Sequence, residues 1–260
     1  MNPLIVTVLI CAFCVTLPST AGTACTVKSG VATAALVELY TSEGCSSCPP
    51  ADLQLRQLHQ VLDANAVVVP LALHVSYWDR IGWKDVFAQT RFDARQSALL
   101  SFRKNRVAYT PQFFVNGEEL RGWRSDLPTT VRQINAKVAP LTITLTSSPI
   151  TTASVTLEAN AVAPDPHLAG ALYLAVSESA LVSQVTRGEN SGTTLKHDHT
   201  ARLWFGPIPL EKGRAQLRQQ ITLPDGWNRQ NLQAVAFVQE QGDVLQAVST
   251  AQCKPALGLS

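Results

Sequence analysis

The chain has 260 residues, 46% of them hydrophobic and 15% charged, with a formal net charge of +2. That balance excludes an intrinsically disordered chain, and the charge is too small to select nucleic acid or an anionic membrane surface as partner. The length suits one large domain or two ordinary ones.

Leu4 to Leu17 is a nearly unbroken apolar run, followed by small residues that include Ala21, Gly22 and Ala24. This predicts a signal peptide over 1–24, cleaved after Ala21 or Ala24, although no Lys or Arg precedes the run. The run is short for a retained anchor, so the expectation is export to the periplasm or the medium, with no membrane span after cleavage. Cys25, Cys45, Cys48 and Cys253 then remain. If Cys45 and Cys48 are partners, Cys25 and Cys253 are left for each other. Such a staple across the mature chain contributes roughly 3–5 kcal/mol; two buried free thiols are the alternative.

Leu36, Val37, Leu39 and Tyr40 predict a buried strand that Gly44 breaks, which leaves Cys45-Ser46-Ser47-Cys48 on the turn. Pro49 and Pro50 fit only the first turn of a helix, and Leu53, Leu55, Leu58, Val61 and Leu62 mark one helical face over 47–63. The Cys-x-x-Cys pair thus lies at a helix N-terminus, where the dipole and unpaired N–H groups favour thiolate. Cys45 is expected to be the more exposed thiol and the nucleophile, with Cys48 resolving the mixed disulfide. Ser46 and Ser47 add no positive charge, and the potential stays open over about 150 mV. A permanent structural bridge is the competing reading. Glu43 is a candidate for tuning Cys45, or a solvated turn residue.

Ala66 to Val75 predicts a second buried strand, whose interior Pro70 marks an irregularity or an edge. His74, near its end, is a candidate proton shuttle, or a third soft ligand with Cys45 and Cys48 for Cu(I) or Zn(II). A histidine hydrogen-bonded in the packing fits equally well. Within an insertion near 76–100, Tyr77, Trp78 and Trp83 are a candidate apolar wall for a client peptide, or a minor core under the insertion.

Residues 88–106 have helical spacing. Residues 107–120 predict a hairpin through Asn116-Gly117, with Pro111 just before its first strand. A last helix over 125–138 carries Pro128 in its first turn. Beyond Pro140, short β-branched or alternating runs at 141–147, 153–160, 171–177, 181–186, 201–205, 214–223, 232–239 and 244–252 predict an all-β sandwich. His197 and His199 would share one face of an extended strand with Asp198 opposite, weak evidence for metal without further ligands. Arg187, Glu189 and Asn190 are expected to fix a loop by charged hydrogen bonds.

Strand, Cys-x-x-Cys at a helix start, helix, strand, helix, Thr-Pro, hairpin and closing helix resembles the thioredoxin order over 34–139. The resemblance puts Thr110-Pro111 in the place of that fold's cis-proline, beside the redox pair, with the Thr110 backbone open to a substrate strand. A closer resemblance is to the exported proteins catalogued as domain of unknown function 1223. It rests on Val37 to Asp52, His74 to Asp79, Gly82 to Asp85, Tyr109 to Gln112, and Arg187 to Asn190 with Gly192, Leu195 and His197.

The expected molecule is therefore an α/β thioredoxin-like domain over 25–139 followed by an all-β sandwich domain over 140–260. The expected function is an exported thiol–disulfide oxidoreductase without bound cofactor. It would act on protein thiols or disulfides and be recycled by an unknown redox partner. A copper- or zinc-binding protein and a non-catalytic interaction module are the alternatives.

Overall fold

The computed structural model describes residues 24–151 and 153–253, so the predicted signal peptide lies outside the described residues. In chain order the strands begin with β1 (Cys25–Lys28) and β2 (Ala35–Thr41). The helices α1 (Pro49–Arg56) and α2 (Leu58–Val61) lead to β3 (Val68–His74), and α3 (Thr90–Phe102) leads to the hairpin β4 (Gln112–Val115) and β5 (Glu118–Glu119). After α4 (Leu127–Asn135) come β6 (Thr142–Thr151), β7 (Ser154–Val162), β8 (Ala171–Glu178), β9 (Leu181–Gln184) and β10 (Thr194–His197). The series closes with β11 (Thr200–Pro209), β12 (Arg214–Thr222), β13 (Leu232–Glu240) and β14 (Asp243–Ser249).

These elements do not form an α/β thioredoxin-like domain followed by a separate β-sandwich. The chain is β-rich, with 42% of it in strands and 19% in helix. One sheet of eight strands, in the order β14-β13-β8-β11-β3-β2-β4-β5, takes four strands from each side of residue 140. The join is narrow: β11 runs parallel to β3 with Thr200 opposite Ala72, and the Ala72 amide donates to His199 O at 2.8 Å. Strands β6, β7 and β12 form a second sheet, which recruits β1 from the other end of the chain. The element list read from sequence was close; its division into partners was not, because a strand's periodicity reports which face is buried and not which strand lies beside it.

Local chemistry explains most of the individual elements. Asn116 and Gly117 have φ of 48° and 84°, the left-handed pair that a two-residue hairpin needs. The helix predicted over 47–63 is broken at Gln57, which leaves α1 and α2. Pro70 sits inside the large sheet. Val75 N donates to Thr41 O on β2 and Ala72 N to His199 O, so the even positions of β3 turn away from β2, and Pro70 spends its missing N–H where β11 does not reach.

Both faces of the large sheet are covered. On one face of β2, β3 and β4, Val37, Leu39 and Phe113 pack against Ala51 and Leu55 of α1 and Leu127 and Val131 of α4. On the other, Leu36, Tyr40 and Leu73 meet Phe92 and Leu99 of α3 together with Phe237 of β13. Leu172 and Leu174 of β8 face Leu145 and Leu157 of the smaller sheet. Cys25 and Cys253 form a disulfide with Cα atoms 6.1 Å apart, joining the two ends of the described chain. Among the described residues, no helix is long and apolar enough to cross a membrane.

Candidate functional site

Strand β2 ends at Thr41, and the chain turns through Ser42, Glu43 and Gly44 into the Cys-x-x-Cys pair. Cys45 and Cys48 form a disulfide, Cα atoms 5.4 Å apart, with Cys48 as the residue before the first turn of α1. Cys45 Sγ lies 3.3 Å from Ser47 Oγ, and the Asp52 amide, one turn down α1, donates to Cys48 O at 3.1 Å. The expected exposure of Cys45 is not found. Both cysteines have 0% relative exposure, while Ser46 and Ser47 face solvent. The β9–β10 connection is tied to the same turn.

That connection is a strap over residues 185–193. It is closed on itself by Val185 N to Thr193 O, Gly192 N to Val185 O and Thr193 N to Asn190 O. The buried Asn190 amide donates to Glu43 O at 2.8 Å and Cys45 O at 3.0 Å. Glu189 Oε2 accepts from Ser46 N at 3.0 Å and Ser46 Oγ at 2.7 Å. Glu189 and Asn190 thus fix a loop, and the place they fix it is the turn that carries Cys45.

Beneath the turn two carboxylate–imidazole pairs meet. His74 Nδ1 donates to Asp85 Oδ2 at 2.7 Å; the same carboxylate accepts from Glu43 N and Phe87 N. His197 Nε2 lies 3.1 Å from Glu43 Oε1, and Trp83 Nε1 donates to Glu43 Oε2 at 2.7 Å. The two imidazoles contact edge to face with centroids 5.0 Å apart, and Phe87 lies against both. Glu43 is therefore buried at the centre of the cluster and not a solvated turn residue.

The ionisation of the cluster follows from these contacts. Burial alone would lower the His74 pKa, but the Asp85 charge and hydrogen bond outweigh it and raise it above the ordinary histidine value. Asp85 is held below the usual carboxylate range, the pull of His74 overcoming the cost of burial. Glu43 is also held low: burial opposes the charge, and the His197 bond offsets it. Burial pushes the Asp52 carboxyl upward against the attraction of His74 and His197. His74 Nε2, His197 Nδ1, Thr41 Oγ1 and Thr200 Oγ1 are all buried without a hydrogen-bond partner in the protein. Thr41 and His74 are register partners on β2 and β3. Asp52 stands one helical turn from Cys48, and its carboxyl senses both imidazoles.

The other predicted site residues are placed as follows. The Thr110–Pro111 bond is cis and enters β4 just beyond the Tyr40–Gln112 pair, at the end of β2 from which the chain runs to Cys45. Tyr77 and Trp78 pack against the core that contains α3, and Tyr77 Oη donates to Gln96 at 3.3 Å, while Trp83 serves Glu43. His199 does not share a face with His197, because its φ of 57° turns the chain between β10 and β11; Asp198 approaches Arg56 instead. As for Cu(I) or Zn(II) held by Cys45, Cys48 and His74, among the described residues no three or more His, Cys, Asp or Glu are placed to hold a metal ion. Asp85 and Asp52 escaped the sequence reading as members of the site. Both end strings that carry the family resemblance, which gave them no role; Asp52 was further legible as the residue four after Cys48 on the same helical face.

A family model described as a protein of unknown function, DUF1223, matches residues 36–239. Two solved structures share the fold. Protein AGR_C_4864 from Agrobacterium tumefaciens is 22% identical with a TM-score of 0.59, over 84% of this chain and 94% of that one. HBP35 of Porphyromonas gingivalis is 16% identical with a TM-score of 0.64, over 85% of this chain and 76% of that one. At such identities the likeness is one of fold alone. No curated protein matches the chain.

Proposed function

The chain belongs to the family described as a protein of unknown function, DUF1223, a description that names no activity, and from the chemistry around Cys45 and Cys48 we propose that the protein is an exported thiol–disulfide oxidoreductase acting on protein thiols. The observation that carries the reading is the pairing of a Cys-x-x-Cys disulfide at a helix start with a buried acid–base cluster beside it.

A comparison of the two disulfides supports a chemical role for this one. Cross-link entropy grows with the loop closed, so the Cys25–Cys253 bridge, 228 residues apart, suits a purely structural task. The Cys45–Cys48 bridge spans a sequence separation of 3, and the same relation gives it only about 2 kcal/mol. Its reactivity is then the better account of it. Two disulfides also suit an oxidising compartment, in keeping with export.

In the exchange, a client thiolate attacks one sulfur of the pair and the Cys45–Cys48 bond breaks. The departing cysteine takes a proton, and the client's second thiolate then attacks the mixed disulfide. The client leaves oxidised, and the two protein thiols carry the two electrons and two protons that it gave up. Cys45 is assigned to the mixed disulfide and Cys48 to the departing thiol; in the reverse direction, where reduced Cys45 attacks a client disulfide, Cys48 is the resolving thiolate. The His74–Asp85 and His197–Glu43 pairs, with Asp52, supply a buried place for the protons. A redox partner must then reoxidise the pair.

Replacing Cys48 by Ser in the full chain tests this reading. With Cys48→Ser, the free Cys45 thiolate should attack client disulfides in envelope extracts and accumulate as unresolved mixed disulfides, the reverse of the same exchange, and Cys45→Ser should abolish them. Failure of Cys48→Ser to trap any client sinks the proposal.

A further inference from the structure

The strap raises a question that the redox reading does not answer: why an ionised carboxylate should be bound at the active turn. Thiolate at a helix start is favoured by the amide and hydroxyl donors around it. Here both donors of Ser46, the residue next to Cys45, are taken by one oxygen of Glu189. That carboxylate brings a negative charge to within one residue of the sulfur that should become an anion.

We propose that Glu189 is a positioning residue that disfavours the Cys45 thiolate and repels anionic thiols from the Cys45–Cys48 disulfide, so that the protein selects neutral or cationic partners. The inference rests on the redox reading for its biological meaning, though not for its chemistry. Glu189 is tied to the turn at two points, and Asn190 beside it anchors the strap by gripping Cys45 O and Glu43 O. Gly188, with φ of 74°, lies against Trp83, whose indole holds Glu43; a Cβ built there would stand 3.2 Å from Trp83 Cβ. The strap and the buried cluster are thereby one assembly.

The charge adds to those already facing the pair. Glu43 and Asp85 lie beneath the turn with His74 and His197, and Asp52 lies on α1; Arg187 is exposed on the strap. Removing the Glu189 charge leaves all of these in place. A glutamine keeps the acceptor oxygen and therefore the shape of the strap, so Glu189→Gln isolates charge from cover.

Two measurements on the full chain decide the matter. In reduced protein, Glu189→Gln should raise the rate of Cys45 alkylation by a neutral reagent about three- to tenfold near pH 6, by moving the thiol titration to lower pH. In oxidised protein, the preference for cationic 2-aminoethanethiol over anionic 2-mercaptoethanesulfonate as reductant should be present in wild type and reduced several-fold in Glu189→Gln. Glu189→Asp, which retains the charge, should stay near wild type.

Equal alkylation profiles and equal thiol preference in wild type and Glu189→Gln overturn the inference, as does a Cys45 that no variant renders reactive. The two proposals fail separately. If Glu189→Gln shifts both measurements but neither protein exchanges with any protein dithiol, the electrostatic role stands and the redox function falls.

Discussion

His74 and His197 meet edge to face with ring centroids 5.0 Å apart, each tied through one nitrogen to a buried carboxylate. The pairs His74–Asp85 and His197–Glu43 come from β3, the loop after it, β10 and the turn before Cys45, so one polar cluster joins four segments of the chain beside the disulfide.

The His74–Asp85 pair makes a pH prediction. A folded-state histidine pKa raised above its ordinary 6.5 stabilises fully below that pH, and the contribution fades as pH rises through the folded value. For Asp85, lowered from 3.8, the contribution is present above that pH and is lost as pH falls through the folded value. Wild-type melting temperature should therefore decline on both sides of a mildly acidic plateau. Asp85→Asn should melt lower throughout and lose most of the alkaline decline. Thermal melts from pH 3 to pH 9 check this; an undiminished alkaline slope in the variant removes the assignment to His74.

Trp83 offers a second, separable prediction. Its indole N–H is a charge-assisted donor to Glu43, so Trp83→Phe should cost about 1.5–3 kcal/mol at pH 7. Glu43 is held below its ordinary value of 4.5, so its contribution exists above that pH and disappears as the carboxylate protonates. The deficit of Trp83→Phe should accordingly shrink in acid. Urea denaturation of both proteins at pH 7 and pH 4 gives the comparison, and a deficit that is constant with pH would assign the loss to packing alone.

The two disulfides should separate cleanly in stability measurements. Replacing Cys25 and Cys253 by Ser opens the long loop and should cost about 5 kcal/mol, whereas replacing Cys45 and Cys48 should cost about 2 kcal/mol or less. Guanidinium midpoints of the two double variants measure the difference. If the short bridge proves the costlier loss, a structural role for Cys45–Cys48 regains its force.

The legibility of this molecule divides by range along the chain. Asn116-Gly117, Pro49-Pro50 at α1 and the alternating strands after residue 140 are governed by neighbours and could be read directly. The break at Gln57 is also local, but no proline or glycine announces it. The large sheet depends on β3 accepting β11 through essentially one register pair, a choice between distant partners that no periodicity encodes. In the site, the Cys-x-x-Cys pair and its helix start were plain. The strap across that turn was not, because its Glu189 meets Ser46 across 143 residues. The role of Asp85 is hidden for the same reason: the His74 imidazole and the Glu43 amide that it holds come from other segments.

The last prediction concerns the ion pair that shapes the other face of the same sheet. Arg95 of α3 places a two-point fork on Glu38 of β2, at 2.5 and 3.0 Å, and gives a further hydrogen bond to Gln239 of β13 at 3.0 Å. Its guanidinium lies 4.8 Å from the Trp204 ring centroid and 5.0 Å from that of Phe237. Glu38 is fully buried, so Arg95→Met leaves an uncompensated carboxylate and should cost about 3–5 kcal/mol. Glu38→Gln alone should also destabilise, by stranding the cation. Removing both charges, as Glu38→Gln with Arg95→Met, should recover much of the loss, because the desolvation that the pair offsets is no longer incurred. A double-mutant cycle by urea denaturation measures the coupling. Strictly additive losses would mean that Arg95 contributes through its aromatic and amide contacts, and that the charge on Glu38 is satisfied by other means.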